Sequence, residues 1–97
     1  MYLVSGGDGM NKIKDGFIVR NIGGQPMAVP TGKLTSDIHG MIALTESGEL
    51  LWNALEKGAS VQELAGILTE NYEVDGETAL ADAQKFLDGL KEQGALE

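Results

Sequence analysis

The stretch Met41–Leu55, MIALTESGELLWNAL, constrains this chain more than any other. Met41–Leu44 is an apolar run with a β-branched member that follows Gly40, a pattern that suits a short strand. Thr45 then supplies a hydroxyl that can accept a hydrogen bond from a free N–H of a first helical turn, and Glu46 and Glu49 complement the helix dipole there. Leu51, Trp52 and Leu55 fall on one face of that helix. A strand that runs directly into a capped helix splits the chain into a β half before it and a helical half after it.

The N-terminal half supports this division. Phe17–Ile22 reads as a strand, Gly23-Gly24 as a turn whose residues tolerate positive φ, and Gln25–Val29 as the returning strand of a hairpin. Pro26 lacks an N–H, so its strand is expected to lie at a sheet edge or to begin there. Pro30–Gly40 reads as a polar connector with turn signals at Thr31-Gly32 and His39-Gly40. Beyond the first helix, Gly58 is a stop signal, and Ser60 with Glu63 forms a capping box for a second helix to about Asn71 that carries Val61, Leu64, Ala65 and Leu68. Asp75 caps a third helix with Ala79, Leu80, Ala83, Phe86, Leu87 and Leu90 on its apolar face; Gly94 ends it, and Leu96 folds back on its last turn. The expected fold class is α+β and winged-helix-like: a three-stranded antiparallel sheet followed by three helices. Residues 1–10 read as a flexible N-terminal extension and residues 11–97 as the domain. Tyr2–Val4 within the extension is apolar enough to add as a strand to a sheet edge, in its own domain or another copy, so the state expected is a monomer or a weak, strand-swapped dimer.

Composition limits the chemistry. A chain of 97 residues without cysteine has one modest core, no disulfide and no thiolate ligand or nucleophile, which fits a cytoplasmic location. It has no apolar run of the roughly 18 residues a membrane span needs and no signal-peptide pattern. His39 is the only histidine and has no nearby partner, so it reads as a loop residue. The carboxylates lie scattered on helix exteriors, and Gly6–Gly9 and Gly23-Gly24 are too short to cradle a phosphate. The expectation is a non-catalytic chain with no metal and no cofactor. Its net charge of −8 is uneven: residues 1–45 carry four cations and three acids, residues 46–97 three lysines and twelve acids. The second helix has no basic residue, so neither a nucleic-acid groove nor a membrane surface is an expected partner, and a winged-helix nucleic-acid binder is the weaker alternative.

A peptide is the partner that remains. A short third strand has an edge of unpaired backbone groups, and a facing helix with small residues would form a groove beside it. Ala79 and Ala83 are such residues, although the same spacing suits close helix–helix packing.

Lys12–Leu96 resembles the PqqD family, the peptide chaperones of pyrroloquinoline quinone synthesis and their relatives in ribosomal-peptide modification. The resemblance is carried by Val19-Arg20, by Gly40–Gly48 leading into Leu51-Trp52, by Ser60–Leu64, by the Tyr72–Asp75 link and by Phe86–Leu90 with Gly94. It does not cover the extension Met1–Gly9, and Thr45 stands where relatives often have asparagine, which also caps helices. The resemblance implies a RiPP recognition element that binds the leader of a precursor peptide as an added strand and hands it to a modifying enzyme, often a radical S-adenosylmethionine (radical SAM) enzyme. Carried to this chain, the edge is Met41, Ile42, Ala43 and Leu44, and the wall comes from the third helix. Leu80, Gln84, Leu87 and Lys91 share one flank of that helix, while Asp82, Phe86 and Gly89 share the other. The first flank is preferred because Lys91 can meet an acidic leader, and Ala83 and Leu87 are expected to line a side-chain pocket.

Overall fold

The computed structural model describes residues 9–38 and 40–97. The expectations for Tyr2–Val4 and for His39 therefore lie outside the described residues. Strands β1 (Phe17–Ile22) and β2 (Gln25–Pro30) form the hairpin, and β3 (Ile42–Ala43) pairs antiparallel with β2, giving the sheet order β1-β2-β3. Gly23 and Gly24 turn the hairpin at φ 62° and 87°, values that favour residues without a Cβ. Long helices follow at α2 (Glu46–Lys57), α3 (Val61–Asn71) and α4 (Gly76–Glu92).

The polar connector differs from its reading. It holds one more helical turn, α1 (Leu34–Asp37). Leu34 and Ile38 recur at i, i+4, and both are buried, so the turn exists to bury two apolar residues in an otherwise polar segment. Gly16, at φ 112°, leaves the space that Leu34 fills: a Cβ there would lie 3.0 Å from the Leu34 Cδ1.

The helix ends are where local chemistry puts them. Thr45 accepts from the Gly48 N–H at 3.0 Å, Ser60 and Glu63 cap each other reciprocally, and the Asp75 carboxylate accepts from the Thr78 N–H at 2.7 Å. The α4 cap falls one residue before the expected Gly94. Gln93 caps the helix and Gly94 follows at φ 75°, with Ala95 N–H donating to the Leu90 carbonyl and Gly94 N–H to that of Lys91, the Schellman arrangement.

The core lies between the inner face of the sheet and the three long helices. Trp52, Leu55, Leu64, Ala79, Ala83 and Ala95 are fully buried in it, and the Phe17 ring meets Trp52 edge-on with centroids 5.1 Å apart. Residues 11–14, which carried no strand signal, tie the helical half together. Asn11 exchanges backbone bonds with Ala59, Ile13 N–H donates to Leu55 and Lys14 N–H to Ala95, while Glu97 N–H returns to Lys12. Ile13, buried beneath them, anchors this segment.

Candidate functional site

The site begins at Pro26. The expectation of an edge position for its strand is not met: β2 is the central strand. Leu44 N–H donates to the Pro26 carbonyl at 2.9 Å, so in an antiparallel ladder the Pro26 nitrogen points at the Leu44 carbonyl and has no proton to give. The Gln25 side chain supplies it, its Nε2 donating to the Leu44 oxygen at 2.6 Å. Proline is tolerated in the middle of the sheet because a side-chain amide replaces its missing donor.

The same register fixes what β3 exposes. With Leu44 facing Pro26 and Ile42 paired with Ala28, Ile42 and Leu44 turn their backbone groups toward β2. Ala43, between them, therefore turns its N–H and C=O away from the sheet, along the free edge, and Met41 follows the same alternation. Side chains alternate at right angles to this. Ile42 and Leu44 are buried in the core, whereas Ala43 and Met41 are exposed on the outer face of the sheet.

A groove opens where β3 turns into α2. It holds about 370 Å³ and is lined by Thr45, Ser47 and Gly48 of the α2 start, by Leu51 and Leu68, and by Asp82, Lys85 and Phe86 of α4. Gly48 makes the close approach possible, because a Cβ there would lie 3.3 Å from the Phe86 ring, 3.1 Å from the Thr45 hydroxyl and 3.9 Å from the Leu44 Cβ. The α4 flank beside the β3–α2 junction is thus the one bearing Asp82 and Phe86, opposite to the flank preferred from the sequence. Leu80, Gln84 and Lys91 are exposed on that other flank, where Gln84 donates to Asp88 at 3.0 Å. Ala83 and Leu87 belong to the core, so neither presents a surface to a ligand in this state, and the close-packing reading of Ala79 and Ala83 describes both. None of the residues lining the groove stood among the expected binding residues: Thr45 was read as a cap, Asp82 and Phe86 as the flank not preferred, and Ser47, Gly48, Leu51, Leu68 and Lys85 were not considered for the site; the signal for Phe86 was its place at the margin of the apolar stripe, where a ring is half covered.

Two titratable groups of the link between α3 and α4 are shifted: Tyr72, which lines a separate small cavity with Ser47, Leu68, Val74 and Asp82, and Asp75, the α4 cap. Burial and then the Glu46 charge hold the Tyr72 phenol above its ordinary 10.0, and its hydroxyl is buried with no partner among the described residues. The Thr78 N–H holds the Asp75 carboxyl below its ordinary 3.8. Both shifts reflect packing and capping. Among the described residues no group of three or more His, Cys, Asp or Glu is placed to hold a metal ion, and no helix is long and apolar enough to cross a membrane.

The comparison with curated proteins yields no match. The fold is shared with the solved structure of TbiB1 in complex with the TbiA(beta) leader peptide, at a TM-score of 0.70 and 24% identity, over 89% of this chain and 94% of that one. The family described as coenzyme PQQ synthesis protein D (PqqD) matches residues 31–96, a stretch that begins just after the hairpin and takes in β3, the groove and all three long helices. With well over half of its length matched in this way, the chain belongs to the PqqD family.

Proposed function

We propose that this chain is a non-catalytic RiPP recognition element. It takes the leader of a ribosomally made precursor peptide as a strand along β3 and presents it to a modifying enzyme of the radical SAM class. The observation that carries the reading is the open edge of β3, with the backbone groups of Ala43 and Met41 turned outward beside the Phe86 flank of α4, in a member of the PqqD family whose fold is that of a leader-binding protein. An antiparallel leader pairs one residue with Ala43 and directs that side chain to the outer face; the residues on either side of it point inward, toward Thr45, Gly48 and Phe86. Lys85, in the groove, is the cation placed to meet an acidic leader, and Met41 and Ala43 flank the path. Leu80, Gln84 and Lys91 lie off this path. A nucleic-acid role has no support from the charge: α3 carries no lysine or arginine, and residues 46–97 carry twelve acids against three lysines.

Ala43→Pro tests the site. It removes the one N–H of β3 that points outward and leaves the β2–β3 bonds intact, because Ala43 does not donate to β2. With a cognate leader peptide as probe, we expect more than a tenfold loss of affinity, about 1.4 kcal/mol or more, and a thermal melt within a few degrees of wild type. Leader binding by Ala43→Pro equal to wild type would rule out strand addition at β3. Amide shifts in the wild-type titration should cluster on Met41–Thr45 and Asp82–Phe86.

A further inference from the structure

The small cavity beside Tyr72 adjoins the groove. It holds about 200 Å³; Leu68, Val74 and Tyr72 give it apolar wall, and Ser47 and Asp82 give it polar groups. Ser47, Leu68 and Asp82 also line the groove, so the two spaces meet along these three residues. Charge decides what the cavity takes. Asp82 is exposed, and neither it nor Glu46 forms a salt bridge among the described residues. The Glu46 charge reaches the cavity wall, since it helps hold the Tyr72 phenol above its ordinary value. Lys85 lines the groove but not the cavity. The α2 dipole brings roughly half a positive charge to its first turn, and Glu46 and Glu49 in that turn outweigh it. An anion entering the cavity would meet uncompensated acids, whereas a cation would meet a carboxylate that has no partner.

Distance decides which cation. An antiparallel leader places opposite Leu44 the residue just before the one paired with Ala43, and alternation turns that side chain inward, into the groove. The cavity shares none of the groove residues nearest β3, which are Thr45, Gly48 and Phe86. A side chain must therefore cross the groove to reach it. Leu51, Leu68 and Phe86 along that path suit an apolar stem, and Asp82 with Ser47 at its far end suits a charged head. Lysine and arginine are built in this way, a chain of methylenes that ends in a cation. An exposed ion pair gives roughly a fivefold effect at most. Here the walls of the cavity screen one side of Asp82 from water and the stem is covered as well, so the effect should be larger.

We infer that the leader residue just before the one paired with Ala43 is a lysine or arginine, which crosses the groove and seats its cation against Asp82 and Ser47 in the Tyr72 cavity. This inference rests on the strand addition proposed above and names the side chain that the site selects. The probe is a displayed library of random peptides, selected on the full-length wild-type protein. Binders whose affinity Ala43→Pro lowers at least tenfold are sequenced, and one is synthesised for titration. The expected result is a lysine or arginine at one shared position. Replacing it with methionine should cost at least tenfold against wild type and little against Asp82→Asn, a coupling that marks contact between the two groups. Asp82 is exposed, so Asp82→Asn should melt with wild type. Binders that depend on Ala43 but share no basic residue overturn the inference and leave the proposed function standing. So does a methionine replacement that costs as much against Asp82→Asn as against wild type, because the cation would then sit elsewhere. If no selected peptide depends on Ala43, the proposed function falls and this inference falls with it.

Discussion

Gln25 has an unusual task for a residue at a hairpin turn. Its amide meets the carbonyl of Leu44, a residue only 1% exposed, because Pro26 cannot. Gln25→Ala orphans that carbonyl and should destabilise the domain by about 1–3 kcal/mol, more than an exposed surface substitution costs. Urea unfolding of the variant measures it, and an unchanged midpoint would show that water replaces the amide. Glycines make a matched pair. Gly66, inside α3, has nothing within 4 Å of where a Cβ would lie, so Gly66→Ala should stabilise by about 0.5–1 kcal/mol through helix propensity. Gly48 has the same propensity to gain, but its Cβ would press on the Thr45 hydroxyl and the Phe86 ring, so Gly48→Ala should gain less or lose. Equal gains at both positions in the same unfolding series would mean that the Phe86 ring yields freely. Ala83→Asp is uninformative about peptide affinity, since it places a carboxylate in the core and is expected to unfold the domain.

At the scale of elements, the segment from Tyr72 to Thr78 joins α3 to α4 and carries both perturbed groups. Asp75 caps α4 as an anion, and its folded pKa lies below the ordinary 3.8. The stability it contributes is therefore present above 3.8 and is lost as pH falls through the folded value. Asp75→Asn keeps an acceptor but not the titration, so its melting deficit relative to wild type should vanish in acid. Tyr72 behaves in the opposite sense. Its folded pKa is raised, so its contribution is complete below 10.0 and declines as pH climbs through the folded value. Tyr72→Phe also removes a buried hydroxyl without a partner, so it should melt no lower than wild type at neutral pH and resist alkali better. Melting curves collected across both pH ranges check the pair, and an alkaline loss identical in Tyr72→Phe would assign it to another group.

The whole molecule is an electrostatic dipole, with +1 over residues 1–45 and −9 over residues 46–97. The salt bridge among the described residues is Lys12–Glu97 at 3.9 Å, exposed at both ends and weak, so the acids of the helical half largely repel one another. Raising NaCl from about 10 mM to about 300 mM should increase the melting temperature by screening that repulsion. A decrease would show that attractive pairs dominate. Trp52 holds the two halves together: fully buried, it meets Phe17 of the sheet from its place in α2. Trp52→Ala should cost about 3–5 kcal/mol, a large share of the 5–15 kcal/mol available to a domain, and a melt within a few degrees of wild type would refute that role.

What the sequence determined by itself was everything set by near neighbours along the chain. The caps at Thr45, Ser60 and Asp75, the Gly23-Gly24 turn, the spans of β1 and α3 and the burial of Leu51, Trp52 and Leu55 follow from hydrogen bonds and periodicities a few residues long, and their order made an α+β winged-helix-like fold and a PqqD resemblance legible. Three matters were decided only by the tertiary structure. The central place of β2 depends on Gln25 reaching a carbonyl nineteen residues away, and no local rule for Pro26 contains that contact. The turn at Leu34–Asp37 forms because Leu34 finds space over Gly16, a pairing across the hairpin. The choice between the two flanks of α4 also lay beyond the sequence. A helical wheel ranks residues by angle about one axis, whereas the face that meets β3 depends on how that axis crosses α2 and α3, which the packing of Gly48 against Phe86 sets.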